Sequence, residues 1–256
     1  AGHVSAAVGL DRALEAEYAS IDHLDGYLEA LAGHSGGYPD VDVGFFGFNV
    51  TEQADAGMIE ALARRTGEAG VWNVPTQSLM ESLASSTPPE EMAEWPEMRY
   101  MPPQVIADWV ERKRDFQTSE GYSPERAERY LELRRQMILA LHDAGAGLVL
   151  GSDAPQWWNV PGFSARRELE YMVGAGLTPY QALETGTRRA AEYFDVEDEW
   201  GTVTTGKSAD LILLDANPLQ DIGNLWEQAG IMVRGRWLPG EEIERRLNEI
   251  ATQLGN

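Results

Sequence analysis

Leu148-Val149-Leu150-Gly151-Ser152-Asp153-Ala154-Pro155 is the stretch whose reading decides the fold. Its unbroken apolar run after Gly147 is short and reads as a strand buried on both faces, the kind that parallel sheets contain. The strand runs directly into Gly-Ser-Asp, so a carboxylate stands just beyond its C-terminal end. A helix precedes it. Ser123-Pro124 is a helix start, a capping residue followed by proline at the first helical position. Ala127, Tyr130, Leu131, Met137, Ile138 and Leu141 then recur at helical spacing, and Gly145 closes the helix.

The same unit repeats upstream. Val71-Trp72-Asn73-Val74-Pro75 reads as a strand after a helix whose apolar face is Met58, Ile59 and Leu62. Thr51 reads as that helix's N-cap and Gly70 as its end. Ser20–Leu24 (SIDHL) reads as a strand end after a helix-like stretch carrying Leu10, Ala13 and Leu14, and His3–Val4 opens the chain as a short apolar piece. Four strands near residues 3, 22, 73 and 149 thus alternate with helices, which predicts parallel strands joined by crossovers. The polar residues at their C-terminal ends occupy the edge where such folds build sites. Further on, Thr178-Pro179-Tyr180-Gln181 combines an N-cap, a proline and a capping-box glutamine.

Two regions depart from this rhythm. Residues 78–122, with Pro88-Pro89, Pro96 and Pro102-Pro103, read as an insertion with short helices of its own, and Trp95, Tyr100 and Trp109 suit a lid. After Asp198 the texture changes to short β-rich runs at 201–203, 210–214 and 231–233, followed by a charged helix over 241–253. The expected organisation is therefore 1–198, 199–240 and 241–256.

Composition narrows the function. Acids outnumber bases 42 to 20 over 256 residues, for a net charge of −22, so a nucleic-acid partner is excluded for want of clustered cations. There is no cysteine, hence no disulfide, thiol nucleophile or cysteine-held zinc. No apolar run is long enough to span a bilayer. Arg pairs at 64–65, 134–135, 166–167, 188–189 and 245–246 read as solvated helix faces. The compartment is not legible.

The constellation with chemistry in it is His3, His23 and Asp153. Two imidazoles and a carboxylate are suitable ligands for a divalent ion such as zinc, and three protein ligands leave a position for water. From spacing alone this is a weak signal: a histidine at a strand end is more often structural than a ligand, and an aspartate after an apolar strand is often a helix cap. Gly33-His34-Ser35-Gly36-Gly37 fits G-x-S-x-G, but a helix-like Tyr27–Ala32 stands where a hydrolase elbow needs a strand, which leaves a glycine-rich loop over 33–39. Tyr27 and the Gln156-Trp157-Trp158 cluster are candidates to touch substrate. Arg99 or Arg166 could hold a substrate carboxylate.

Longer motifs favour the metal reading. Gly9-Leu10-(x)2-Ala13-Leu14 with Ser20–Gly26, and Leu148–Pro155, resemble strands five, six and eight of the metal-dependent amidohydrolase superfamily. Ala175-Gly176-Leu177-Thr178-Pro179-(x)2-Ala182-Leu183, continuing to Gly201-Thr202-Val203-(x)2-Gly206-Lys207-Ser208-Ala209-Asp210-Leu211, is similar to the signature that leads from the last barrel helices into the small β-domain of its imidazolonepropionase-like and prolidase-like branches. The resemblance implies an α/β fold: the C-terminal half, strands five to eight, of a TIM-type (β/α)8 barrel plus part of a small β-sandwich domain. It implies His3, His23 and Asp153 as metal ligands, and Asp153 as the catalytic proton shuttle. The cofactor implied is zinc or another divalent metal, one ion or two. The reaction implied is hydrolysis of an amide or other C–N bond, in a cyclic amide or dipeptide-like substrate, by metal-activated water. Tyr27, Trp157 and Arg99 are the expected substrate contacts.

The departures matter as much. The family's His-x-His pair has no counterpart among the four histidines, and neither Lys113 nor Lys207 stands where a bridging carboxylated lysine would. A whole barrel needs about 250 residues, and four strands with an insertion already fill this chain. The expectation is a fragment, or a half-barrel that pairs with a separate N-terminal half; a homo-oligomer is expected as well. The alternative function is a non-catalytic or incomplete subunit.

Overall fold

In the computed structural model, residues 1–37 and 40–255 are described; Tyr38 and Pro39, the end of the glycine-rich loop, lie outside the described residues. In chain order the elements begin with helix α1 (Gly9–Glu15), strand β1 (Ser20–Asp22) and α2 (Tyr27–Leu31). They continue through α3 (Ile59–Glu68), β2 (Trp72–Val74), α4 (Gln77–Ala84), α5 (Pro89–Ala93), α6 (Pro103–Thr118) and α7 (Pro124–Asp143). Next come β3 (Gly147–Leu148), α8 (Phe163–Gly174), α9 (Pro179–Thr185) and α10 (Arg188–Tyr193). The chain ends with β4 (Leu211–Leu214), β5 (Gln228–Val233), β6 (Arg236–Pro239) and α11 (Gly240–Leu254).

β1, β2 and β3 form a parallel sheet in sequence order, with Ile21 opposite Asn73 and Asn73 opposite Leu148. The strand expected at residue 3 is reduced to one parallel bridge, Gly2 to Ile21. It continues the row past β1 without the ladder that would make it a strand. Two glycines permit the close packing on β3: a Cβ on Gly147 would lie 2.1 Å from the Trp72 ring, and one on Gly151 2.4 Å from Val74 Cγ1.

The core lies between this sheet and α7, which packs on α3, α4 and α8. Leu10, Ile21, Leu62, Leu131, Met137, Ile138, Leu141 and Leu148 are buried in it, each such side chain stabilising the fold by about 1.5–3 kcal/mol. Local signals placed two helices correctly. Ser123 Oγ accepts the Arg126 amide, and Thr178 with Gln181 closes a full capping box. Thr51 is not a cap. It is buried and donates to the Phe48 carbonyl, while Asp55 caps the short 3-10 turn that leads into α3.

The segment over 78–122 is helical, as expected, but α4 at its start is buried and packs against α7 and α8. The rest gathers a second apolar cluster: Met92, Met98, Met101 and Trp109 meet Trp158 and Val160. The β-rich run at 201–203 forms no strand. β4, β5 and β6 make a separate antiparallel sheet that α11 contacts along β5 and β6.

Candidate active site

Each strand of the parallel sheet ends in a residue with left-handed backbone. His23 follows β1 with φ +60°, Thr76 follows β2 with φ +47°, and Asp153 lies beyond β3 with φ +55°. Left-handed non-glycine residues cost energy, and their concentration along one sheet edge is a mark of a functional site. The left-handed turns point His23 and Asp153 into one cavity of about 600 Å³, which His3, Phe46, Leu79 and Trp157 also line.

The hydrogen bonds settle which histidine nitrogens are open. His3 Nδ1 lies 2.8 Å from Asp25 Oδ2, an oxygen that also accepts the Val4 amide. Asp25 Oδ2 accepts here, so His3 donates through Nδ1 and Nε2 is the ring nitrogen left open. His23 Nδ1 lies 2.8 Å from Thr76 Oγ1, whose own proton goes to the Pro75 carbonyl at 2.8 Å. The hydroxyl must therefore accept from His23 Nδ1–H, which leaves His23 Nε2 as the open nitrogen. Burial pulls the His23 pKa below its ordinary value and keeps the ring neutral. Asp25 is shifted the other way, upward by burial, against the pull of its bond from His3, and its Oδ1 is buried without a partner.

The two rings stand 4.6 Å apart with Phe46 against both. His23 Nε2 faces Asp153 Oδ2 at 3.8 Å. A lone pair opposed to a carboxylate is repulsive unless a cation lies between them. Two imidazoles fixed through Nδ1 by an outer partner, with a carboxylate facing them, match the donor chemistry of a divalent metal site. Among the described residues, no group of three or more His, Asp or Glu side chains is close enough to hold a metal ion unaided. The donors fit the group in kind.

The amidohydrolase family pattern matches residues 60–238. The chain belongs to the amidohydrolase family. No curated protein sequence matches it. Among solved structures it is similar to a bottromycin amidohydrolase, at 22% identity and a TM-score of 0.72, over 99% of this chain and 53% of that one. It is also similar to a Xaa-Pro dipeptidase with methionine bound in its active site (20%, TM-score 0.53, 91% and 43%) and to molinate hydrolase (18%, TM-score 0.50, 93% and 41%). At these identities the likeness shows a shared fold. The chain spans about half the length of the structures it matches.

The structure brings His3, His23, Asp153 and Trp157 of this family member together and leaves two expected contacts out. Tyr27 is wholly buried, its hydroxyl bonded to Thr66 Oγ1 (2.9 Å) and to Asn73 Oδ1 (3.0 Å). Burial drives its pKa far upward, and the phenol serves the core rather than a substrate carbonyl. Arg99 lies elsewhere, bonded to Asn248 on α11 and over the Tyr100 ring, and with Arg166 it lines a different cavity that shares no residue with the first. Arg134 and Arg167 are not solvated either. Arg134 is fully buried, and Arg167 pairs with the buried Glu97.

Sequence reasoning missed Asp25, Thr76, Phe46 and Arg134. Arg134 donates to the carbonyls of His23 (2.8 Å) and Pro75 (2.9 Å) and to Gln77 Oε1 (3.0 Å). It therefore ties the loop carrying His23 to the loop carrying Thr76. Beside it, Glu168 accepts the Gln77 and Ser78 amides at the start of α4, and burial pushes its carboxyl up to about 7. The polar residue after each strand was a signal for Thr76; Phe46, at the kink of the 3-10 segment Phe45–Gln53, gave none.

Proposed function

We propose that this chain carries one half of the active site of a metal-dependent amidohydrolase that cleaves an amide or related C–N bond in a cyclic amide or dipeptide-like substrate. The observation that carries the reading is that His3, His23 and Asp153 line one cavity, with Nδ1 of each imidazole held by an outer partner. His3 and His23 would hold the divalent metal, zinc in the first instance, with Asp153. When bound, the metal polarises the scissile carbonyl and acidifies water. Asp25 and Thr76 keep the two rings in the ligand tautomer. Asp153, its side chain 43% exposed, takes a proton at Oδ2 and returns it to the leaving nitrogen. Phe46, Leu79 and Trp157 give the cavity an apolar wall that excludes bulk water.

On this reading residues 1–198 are the second half of a barrel and 199–240 strands of a small β-domain. The test is zinc titration of the chain by calorimetry, followed by amide hydrolysis with dipeptide and cyclic-amide substrates, with the first half of the barrel added. His23→Ala should abolish zinc uptake, and Asp153→Asn should abolish hydrolysis. Full zinc uptake by His23→Ala, or full hydrolysis by Asp153→Asn, would overturn the assignment.

A further inference from the structure

A second cavity, of about 510 Å³, opens between α8, the 3-10 turn Pro96–Tyr100 and the 3-10 turn Ile222–Trp226, and shares no lining residue with the first. In a chain with net charge −22, three arginines meet there: Arg99, Arg166 and Arg167, beside Glu97 and Glu170. The charges are unequally used. Arg167 is spent on Glu97, with Nη2 at 2.5 Å, and stacks on Trp95. Glu170 accepts the Trp226 indole N–H at 2.5 Å. Arg99 is bonded to Asn248.

Arg166 is different. It is partly buried, with its guanidinium 5.4 Å from the Phe163 ring and 5.0 Å from the Trp226 ring, and it meets no hydrogen-bond acceptor among the described residues. Glu97 and Glu170 act on it only through space, and burial lowers its pKa. A guanidinium carries five donors in a planar fork. Those donors stay open towards the cavity, and the two aromatic faces fix the plane of the group.

The geometry points to this cavity as a second binding site, for a small aromatic monocarboxylate anchored on Arg166. The fork matches a carboxylate in two-point contact. Tyr100, Phe163 and Trp226 give the cavity an aromatic wall for an aromatic body, with Tyr100 and Phe163 stacked at 5.1 Å and Arg166 and Arg167 both over Trp226. Glu97 and Glu170 repel a doubly charged phosphate more strongly than a single carboxylate, which selects the monoanion.

The test uses 4-fluorobenzoate as probe, followed by fluorine NMR on the whole chain, with 4-fluorobenzamide as its uncharged counterpart. The acid should bind saturably at one site, and the amide roughly tenfold more weakly. Arg166→Gln should weaken the acid by a similar factor with an unchanged far-ultraviolet circular dichroism spectrum, while His23→Gln should leave its binding as it is. Absence of saturation, equal binding of acid and amide, full binding by Arg166→Gln, or loss of binding in His23→Gln would each overturn the site. Should Arg166→Gln not fold, the acid and amide compared on the unaltered chain decide the matter.

Discussion

Replacing Arg134 by Met tests whether one buried cation holds the two loops of the site. The unbranched thioether fills most of the space, so the change removes donors more than volume. Three acceptors lose a partner: the His23 carbonyl, the Pro75 carbonyl and Gln77 Oε1. Pro75 keeps the Thr76 hydroxyl, which leaves two bare acceptors. At about 1–3 kcal/mol for each stranded group, less what is regained by no longer burying a charge, the net loss is about 3 kcal/mol. Glu168 also loses a nearby cation that favours its ionised form. For a chain of this size that corresponds to a fall of roughly 6–12 °C in Tm. Urea unfolding followed by circular dichroism at pH 8 should show a lower midpoint at unchanged slope. His23 and Leu24 are left-handed, at φ +60° and +56°, and without the clamp they can relax. The nitrogen-15 signals of the His23 ring should then move from a fixed Nδ1–H tautomer towards a mixture. Arg134→Lys, with one pointed donor group, should fall between. A loss below about 1 kcal/mol with the tautomer intact would refute the clamp.

Three further outcomes follow from buried groups. Glu168 has its pKa raised from 4.5 to about 7 by burial, so between those values the folded chain keeps a proton that the unfolded chain has released. Stability should therefore fall as pH rises from about 4.5 to 7, by on the order of 3 kcal/mol, and Glu168→Gln should flatten that slope in urea melts at stepped pH. Lys113 is buried against Ser82, Ser85 and Met92, and burial lowers its pKa from 10.5 to about 8. In that window the unfolded chain holds the extra proton, so stability should rise with pH. Lys113→Met should abolish the rise and, at pH 7, exceed the unaltered chain by about 1–3 kcal/mol; a less stable variant at pH 7 would count against it. Tyr27→Phe removes a hydroxyl shared with Thr66 and Asn73 and should cost about 1–2 kcal/mol while zinc uptake stays unchanged; a selective loss of zinc uptake would restore Tyr27 to the site.

What was legible in the sequence was what is decided within a few residues. The Ser123-Pro124 start and the Thr178–Gln181 box are local hydrogen bonds, and both formed. Thr51 failed as a cap because Asp55 lies nearer the true start of α3, and a threonine buried inside the 3-10 segment Phe45–Gln53 looks the same in sequence as one at a helix end. The site residues were legible to the extent that they close a strand. His23 and Asp153 could be read that way, but the groups that fix their chemistry come from 22 to 111 positions away, as His3 with Asp25, His23 with Thr76 and Arg134 with His23 show. Arg134 shows where a stricter reading would have gained ground. The apolar stripe of α7 runs Ala127, Tyr130, Leu131, then Met137, Ile138 and Leu141, and position 134 falls on it at three residues from Leu131 and three from Met137. An arginine in that stripe faces the core, where a guanidinium persists only if carbonyls turn towards it. The acceptors closest to the inner face of α7 are the ends of parallel strands, because each strand stops there and its last carbonyls lose their ladder partners. A cation inside an apolar helical stripe that packs on a parallel sheet is thus a readable sign that strand-end loops are being clamped. Here the clamped loops are the ones that carry His23 and its Thr76 partner.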